Sequence, residues 1–243
     1  MDFIKLDKLK TKLKDLRPLN SAELKRLRDE FVIENTYNSN AIEGNSLTLR
    51  ETALVLEGLT IGEKPLKDHL EAIGHRNAFS FIFELADKKA PLTESVIKQI
   101  HSVVLMNDRA SAGVYRALPV RIAGAVHTPP EPVLVAEQME QLMADYSTML
   151  KQKHIIEAVA EFHLRFEGIH PFIDGNGRTG RLIINLELIK AGLLPVNIKY
   201  ADRIKYYECF DTYYGKPKTA DALTKLILDY QIDELERYIS MFK

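Results

Sequence analysis

The chain has 243 residues, 46% hydrophobic and 28% charged, which is enough to bury a substantial core in one or two domains. Its 33 Lys and Arg balance 34 Asp and Glu to a formal net charge of -1, so no global basic field attracts nucleic acid and no such partner is expected. Cys209 is the only cysteine, which excludes an intramolecular disulfide and a paired-cysteine metal site and fits a reducing compartment. Residues 1–20 alternate Lys and Asp with Leu and hold no apolar run long enough for a secretory leader or a membrane span. A cytoplasmic protein without a membrane partner is therefore expected.

In chain order, Asn20 and Glu23 read as the capped start of a helix whose apolar stripe is Leu24, Leu27, Phe31, Ala41 and Ile42, with Gly44 as its stop. Thr48 and Glu51 form a capping box for a short helix ending near Gly58. Leu66, Leu70, Ile73, Phe81, Ile82 and Leu85 recur at helical spacing and predict a long amphipathic helix, which Gly74 weakens. Thr93 caps a segment carrying Val96, Ile97, Ile100, Val103 and Val104, and a further helix is expected from Val133 to Leu150. Between these two, Val120 and Ile122 alternate about Arg121 before Gly124 and a proline cluster, the pattern of a β-hairpin. Ile155, Ile156, Val159, Phe162 and Phe166 define a helix that Gly168 and the pre-proline restriction on His170 should end. Residues 178–193 read as a mostly apolar helix stopped by Gly192, and Tyr206 to Tyr213 and Ala222 to Phe242 supply two more. The expected fold class is all-α with one short β-hairpin.

Residues 170–181 read HPFIDGNGRTGR, the densest cluster of chemistry-bearing side chains in the chain. His170, Asp174, Asn176, Arg178 and Arg181 would be costly in an ordinary core, because buried charges and amides need partners; around a polyphosphate and its metal, all have them. The GNGR step is where loop becomes helix, so unpaired backbone N–H groups and the positive helix end converge there, as an anion site requires. Arg178, Arg181 and Asn185 share one face of that helix, and two arginine forks one turn apart suit successive phosphates. Asp174 suits Mg²⁺, which is often held by one protein carboxylate together with substrate phosphates. A neutral His170 could take a proton from an incoming hydroxyl. Phosphoryl or nucleotidyl transfer follows. His163 and His170 are too far apart across a helix-breaking glycine to form a metal motif, so His163 is read as structural. His69, His75, His101 and His154 are assigned no chemistry.

The same twelve residues match HxFxxGNGRxxR at every specified position, and on that motif the chain resembles the Fic family. The resemblance implies a Fic-fold helical bundle and transfer of AMP from ATP to a Ser, Thr or Tyr hydroxyl of a protein, with Mg²⁺ required and pyrophosphate released. By that resemblance His170 is the general base, Asp174 the Mg²⁺ ligand, and Gly175, Asn176 and Gly177 the anion cradle. Arg178 assists the phosphates and Arg181 reaches the γ-phosphate, with Thr179 and Gly180 counted in the same nucleotide-binding segment. The kinase-like Doc branch has Lys where Gly177 stands, which sides this sequence with nucleotidyl transfer. Tyr206 and Tyr207 resemble adenine-pocket tyrosines, and Gly124, Ala125, Val126 and His127 resemble the flap that holds a target peptide by strand addition.

Ser39 to Gly44, SNAIEG, is similar to the family's inhibitory motif, which implies that Glu43 pairs with Arg181 and denies it to the γ-phosphate. Residues 1–90 would then form an N-terminal helical region carrying Ser39 and Glu43, and residues 91–243 the catalytic core and C-terminal helices, together one compact unit. The expected partners are a protein substrate and the chain itself as a modification target. A homodimer and AMP removal assisted by Glu43 are left open. The alternatives are a Fic-fold transferase with another nucleotide or phosphate-containing donor, and a nucleotide-binding adaptor without turnover.

Overall fold

The computed structural model describes residues 1–15, 21–215 and 218–241, without the side chains of Ser21 and Leu24. Ten α-helices make up most of it: α1 (Phe3–Lys14), α2 (Ser21–Ile42), α3 (Leu49–Leu56), α4 (Leu66–Asp87), α5 (Glu94–Val104), α6 (Val135–Gln152), α7 (Ile155–Ile169), α8 (Asn176–Lys190), α9 (Arg203–Tyr214) and α10 (Asp221–Ser240). Their ends follow local chemistry. Thr48 and Glu51 form the expected reciprocal capping box on α3, and the Thr93 hydroxyl accepts from Val96 N–H to open α5. Gly44, Gly58 and Gly192 all adopt positive φ where α2, α3 and α8 stop. The cap expected at Asn20 lies outside the described residues.

Two features were not legible. Residues 3–14 form a helix, because one face of the Lys- and Asp-rich segment places a fully buried Leu6 against α10, with Lys5 paired to Glu236 at 2.8 Å. The helix expected from Val133 begins at Val135, preceded by a single 3-10 turn over Pro132–Leu134.

The expected β-hairpin is corrected: among the described residues there is no strand, and Val120–His127 is a loop with a turn at Ala123 and Gly124, between two arms without regular structure. Pro119, Pro129 and Pro130 remove backbone donors from those arms. Arg116 joins the arm ends instead, donating to Leu118 O at 3.1 Å and Pro130 O at 2.6 Å. Gly124 turns the tip at φ 77°.

Helix α8 runs through the interior, enclosed by α4, α5 and α7. Leu182, Ile183, Ile184, Leu186 and Leu188 are all buried, as expected of a helix that is apolar around most of its circumference. One cluster of buried side chains reaches from Leu6 in α1 to Leu235 in α10, and a smaller one, Leu47, Val55 and Ala72, underlies α3. Among the described residues no helix is long and apolar enough to cross a membrane.

Candidate active site

The site forms where α7 ends and α8 begins. His170 terminates α7 in the left-handed region, at φ 49°, donating its N–H to Phe166 O at 2.9 Å. That conformation is strained for a side chain with a Cβ, and more so before Pro171. The surroundings hold it: Arg116 Nε donates to His170 O at 2.8 Å, and Arg116 N–H donates to Pro171 O at 2.9 Å.

The loop is then clasped from two sides. Asn176 Oδ1 accepts from Phe172 N–H at 2.9 Å while its Nδ2 donates to Phe172 O at 2.9 Å, closing residues 172–176 into a ring. His101 of α5 stacks on Phe172 with ring centroids 3.6 Å apart. Its Nδ1 accepts from Gly113 N–H at 2.8 Å, which places the proton on Nε2, and Nε2 donates to Asp174 O at 2.9 Å. Burial, set against the Asp174 bond, holds the ring's pKa down to about 4, so it stays neutral at physiological pH. Gly175 follows at φ 76°, and an added Cβ would sit 3.3 Å from His101 Nε2. No side chain caps α8, so its first-turn N–H groups remain open to an anion.

A cavity of about 390 Å³ opens over this helix end. His170, Asp174, Gly175, Asn176 and Gly177 form one wall, Tyr206, Tyr207 and Phe210 of α9 another, and Gly124, Ala125, Val126 and His127 the rim. His127 stacks on Tyr214 with centroids 3.9 Å apart and bonds Gly168 O through Nε2 at 2.9 Å, which fixes the base of the flap. A Cβ at Gly168 would lie 1.5 Å from the Tyr214 hydroxyl, so that position requires glycine.

Glu43 closes the cavity from the end of α2. Arg181 Nη2 donates to Glu43 Oε1 at 2.8 Å and to Ser39 O at 2.8 Å, while Nε donates to the Ser39 hydroxyl at 3.0 Å. Burial works against the Arg181 charge, but Glu43 and Tyr206 outweigh it and raise its pKa. An added Cβ at Gly177 would meet Glu43 Oε1 at 2.2 Å, so the carboxylate lies against the open helix end. The two arginines diverge. Arg181 lines the cavity, whereas Arg178 is buried outside it, 3.2 Å from Glu71 and 3.1 Å from Asp174 Oδ1. Thr179 and Gly180 are also outside the lining, and Asn185 bonds both backbone groups of Val196.

Charges in the loop are tuned by these neighbours. Burial disfavours the Asp174 carboxylate, but the Arg178 charge and the Gly175 N–H bond prevail and lower its pKa. Burial lowers the His170 pKa, with the Glu167 carbonyl bond and the Glu43 charge opposing, which favours the unprotonated ring. His163 is fully buried with Nε2 2.6 Å from the Tyr206 hydroxyl, a structural placement as expected.

Four site residues escaped sequence reasoning. His101, Arg116 and Glu71 act on the loop from α5, the flap stem and α4, and no spacing links them to residues 170–181. Glu167, by contrast, stands one helical turn before His170, a spacing that could have drawn notice.

Four likenesses bear on identity. Residues 91–188 match the model of the Fic/DOC family. The chain is 36% identical over 212 residues to "Protein adenylyltransferase Fic" of Nematostella vectensis, covering 84% of this chain and 48% of that protein. It thus spans about half the length of that curated relative. Among solved structures, a Fic domain containing signaling protein from Bacteroides thetaiotaomicron superposes with a TM-score of 0.87 at 32% identity, covering 97% of this chain and 95% of that one. Fic-1 (aa134–508) from C. elegans gives a TM-score of 0.85 at 28% identity, covering 97% of this chain and 70% of that one. With the motif seated at an open helix end and similarity along nearly the whole length, the chain belongs to the Fic/DOC family.

Proposed function

We propose that the chain is a protein adenylyltransferase that moves AMP from ATP to a Ser, Thr or Tyr hydroxyl of a target protein and of itself, restrained by Glu43. The observation that carries this reading is the Arg181–Glu43 pair at 2.8 Å, set against Gly177 at the uncapped start of α8. A carboxylate occupies the place where a terminal phosphate would meet both the helix end and the guanidinium. When Glu43 withdraws, the open N–H groups of Asn176 and Gly177 cradle phosphate, the Gly175 N–H staying on Asp174, and Arg181 takes the γ-phosphate. Tyr207, 43% exposed, offers aromatic surface for adenine, whereas the Tyr206 ring is buried with its hydroxyl on His163 and supports that wall from behind.

His170 then accepts the proton of the target hydroxyl as its oxygen bonds the α-phosphorus and pyrophosphate departs. The flap, Gly124 to His127 at the cavity rim, would hold the target segment beside His170. Asp174 is half-exposed, and the bonds found on its carboxylate both end on Oδ1, from Gly175 N–H at 2.6 Å and Arg178 at 3.1 Å. Asp174 would hold Mg²⁺ together with the phosphates, a donor set this ion commonly takes. That ion would neutralise phosphate charge as it develops. The relative named an adenylyltransferase supports the same reaction.

Radiolabelled ATP incorporation tests the reading. Glu43→Gly should raise self-modification at least tenfold, and adding His170→Ala should abolish it. Incorporation unchanged by both substitutions sinks the assignment. Intact mass of a modified target, followed with and without Glu43, reads any removal of AMP.

A further inference from the structure

The last turn of α7 carries a carboxyl that the mechanism above does not use. Glu167 lines the cavity, yet its Oε1 is buried with no hydrogen-bond partner among the described residues. An unpaired buried carboxyl oxygen is costly. Room for it is reserved: an added Cβ at Gly180 would stand 3.1 Å from that oxygen. The other oxygen, Oε2, lies 3.8 Å from His170 Nδ1. The same nitrogen lies 3.3 Å from the Glu167 carbonyl oxygen. The backbone carbonyl is the hydrogen-bond acceptor for Nδ1, which places the proton there and leaves Nε2 as the basic nitrogen, while the carboxylate stands at ion-pair distance from the same nitrogen.

We propose that Glu167 is the positioning residue for His170: its side-chain carboxylate, 3.8 Å from Nδ1, carries the counter-charge that holds the ring in place while the imidazole keeps the target's proton. The inference rests on His170 acting as the base. In that step the hydroxyl proton moves to Nε2, the oxygen–phosphorus bond forms and the bond to pyrophosphate breaks. Glu167 exchanges no atom; its Oε2, 3.8 Å from Nδ1, attracts the ring as it becomes an imidazolium.

The inhibited arrangement explains why Glu167 is idle at rest. Burial, and then the Glu43 charge, raise its pKa to about 8, with Arg181 opposing, so it keeps a proton at neutral pH. Withdrawal of Glu43 removes one of those causes, and a positive ring 3.8 Å away favours ionisation further. The other groups facing this pair are Arg116 and Asp174 beside His170, and Tyr206, Tyr207 and Tyr214 of α9 beside Glu167.

The test uses the full chain carrying Glu43→Gly, with ATP and Mg²⁺. Adding Glu167→Gln should lower kcat about tenfold or more while KM for ATP stays within about twofold, and Glu167→Asp should recover part of the rate. Nuclear magnetic resonance of ¹³C-labelled histidine should show the His170 titration midpoint falling by roughly one pH unit in Glu167→Gln. That second readout needs no turnover. A Gln variant with the parental kcat and an unmoved midpoint overturns the inference. Activity that survives His170→Ala overturns instead the reading beneath it, and the two failures are told apart by that variant.

Discussion

Arg116 is only 5% exposed, and its guanidinium meets backbone carbonyls alone: His170 O, Leu118 O, Pro130 O and, at 3.3 Å, Ile169 O. These include two of the carbonyls that α7 leaves unpaired at its C-terminus, where a cation also meets the negative helix end. Burial lowers the Arg116 pKa, with Glu131 opposing, yet the group remains charged. The same side chain fixes the strained His170 corner and both stems of the flap. Lysine has neither the planar fork nor enough donors for four diverging acceptors. Arg116→Lys should therefore cost about 2–4 kcal/mol, and Arg116→Met at least as much because the carbonyls are left unsatisfied. Thermal melts check this: a fall of roughly 5–15 °C is expected, with flap proteolysis appearing earlier. A melting point within about 1 °C of the parent would show that water replaces the guanidinium without cost.

At the level of helices, capping residues and apolar periodicity were legible because their causes are local. Thr48 with Glu51, Thr93, and the glycines at 44, 58 and 192 all act within one turn of the chain. The motif of residues 170–181 was legible for the same reason, since loop, helix start and Arg181 are contiguous. What stayed hidden depends on distant partners. Asn185 shares a face with Arg181 yet binds Val196, and Arg178 turns toward Glu71, because tertiary acceptors rather than spacing decide where a buried polar group points. The flap carries strand alternation without a strand, because no neighbouring backbone completes a ladder. Gly74 illustrates the same limit. In sequence it only weakens a helix, whereas in the fold an added Cβ would lie 2.7 Å from Val104 O of α5. That neighbour is backbone and cannot rotate away, so Gly74→Ala should force α4 and α5 apart despite alanine's better helix propensity. A loss of about 1–3 kcal/mol in urea unfolding is expected, with weaker ATP binding because α5 carries His101 to Asp174. A more stable variant would mean that propensity wins over the close approach.

Across the whole molecule, burial of titratable groups sets how stability depends on pH. Burial lowers the pKa of His75 to about 3, His101 to about 4 and His163 to about 3, from an ordinary 6.5. Glu167 moves the other way, from 4.5 to about 8. For the histidines the folded value is depressed, so the unfolded chain binds more protons and stability is lost as pH falls below about 6.5. For Glu167 the folded value is raised, so its contribution is full below about 4.5 and is lost as pH rises toward about 8. Near pH 5 the three rings take up about three protons on unfolding while Glu167 releases about one, a net uptake of about two and a slope of about 3 kcal/mol per pH unit. Above pH 7 the histidines are neutral in both states, and of these four groups only Glu167 still acts. The melting temperature should therefore peak between about pH 6.5 and 7, fall steeply on the acid side and gently on the alkaline side. Glu167→Gln should flatten the alkaline limb and leave the acid limb in place. Calorimetric melts at half-unit steps from pH 5 to 8.5 decide it. An acid limb that is flat down to pH 5 would mean that these imidazoles reach solvent, and an unchanged alkaline limb in Glu167→Gln would mean that Glu167 is already ionised beside Arg181.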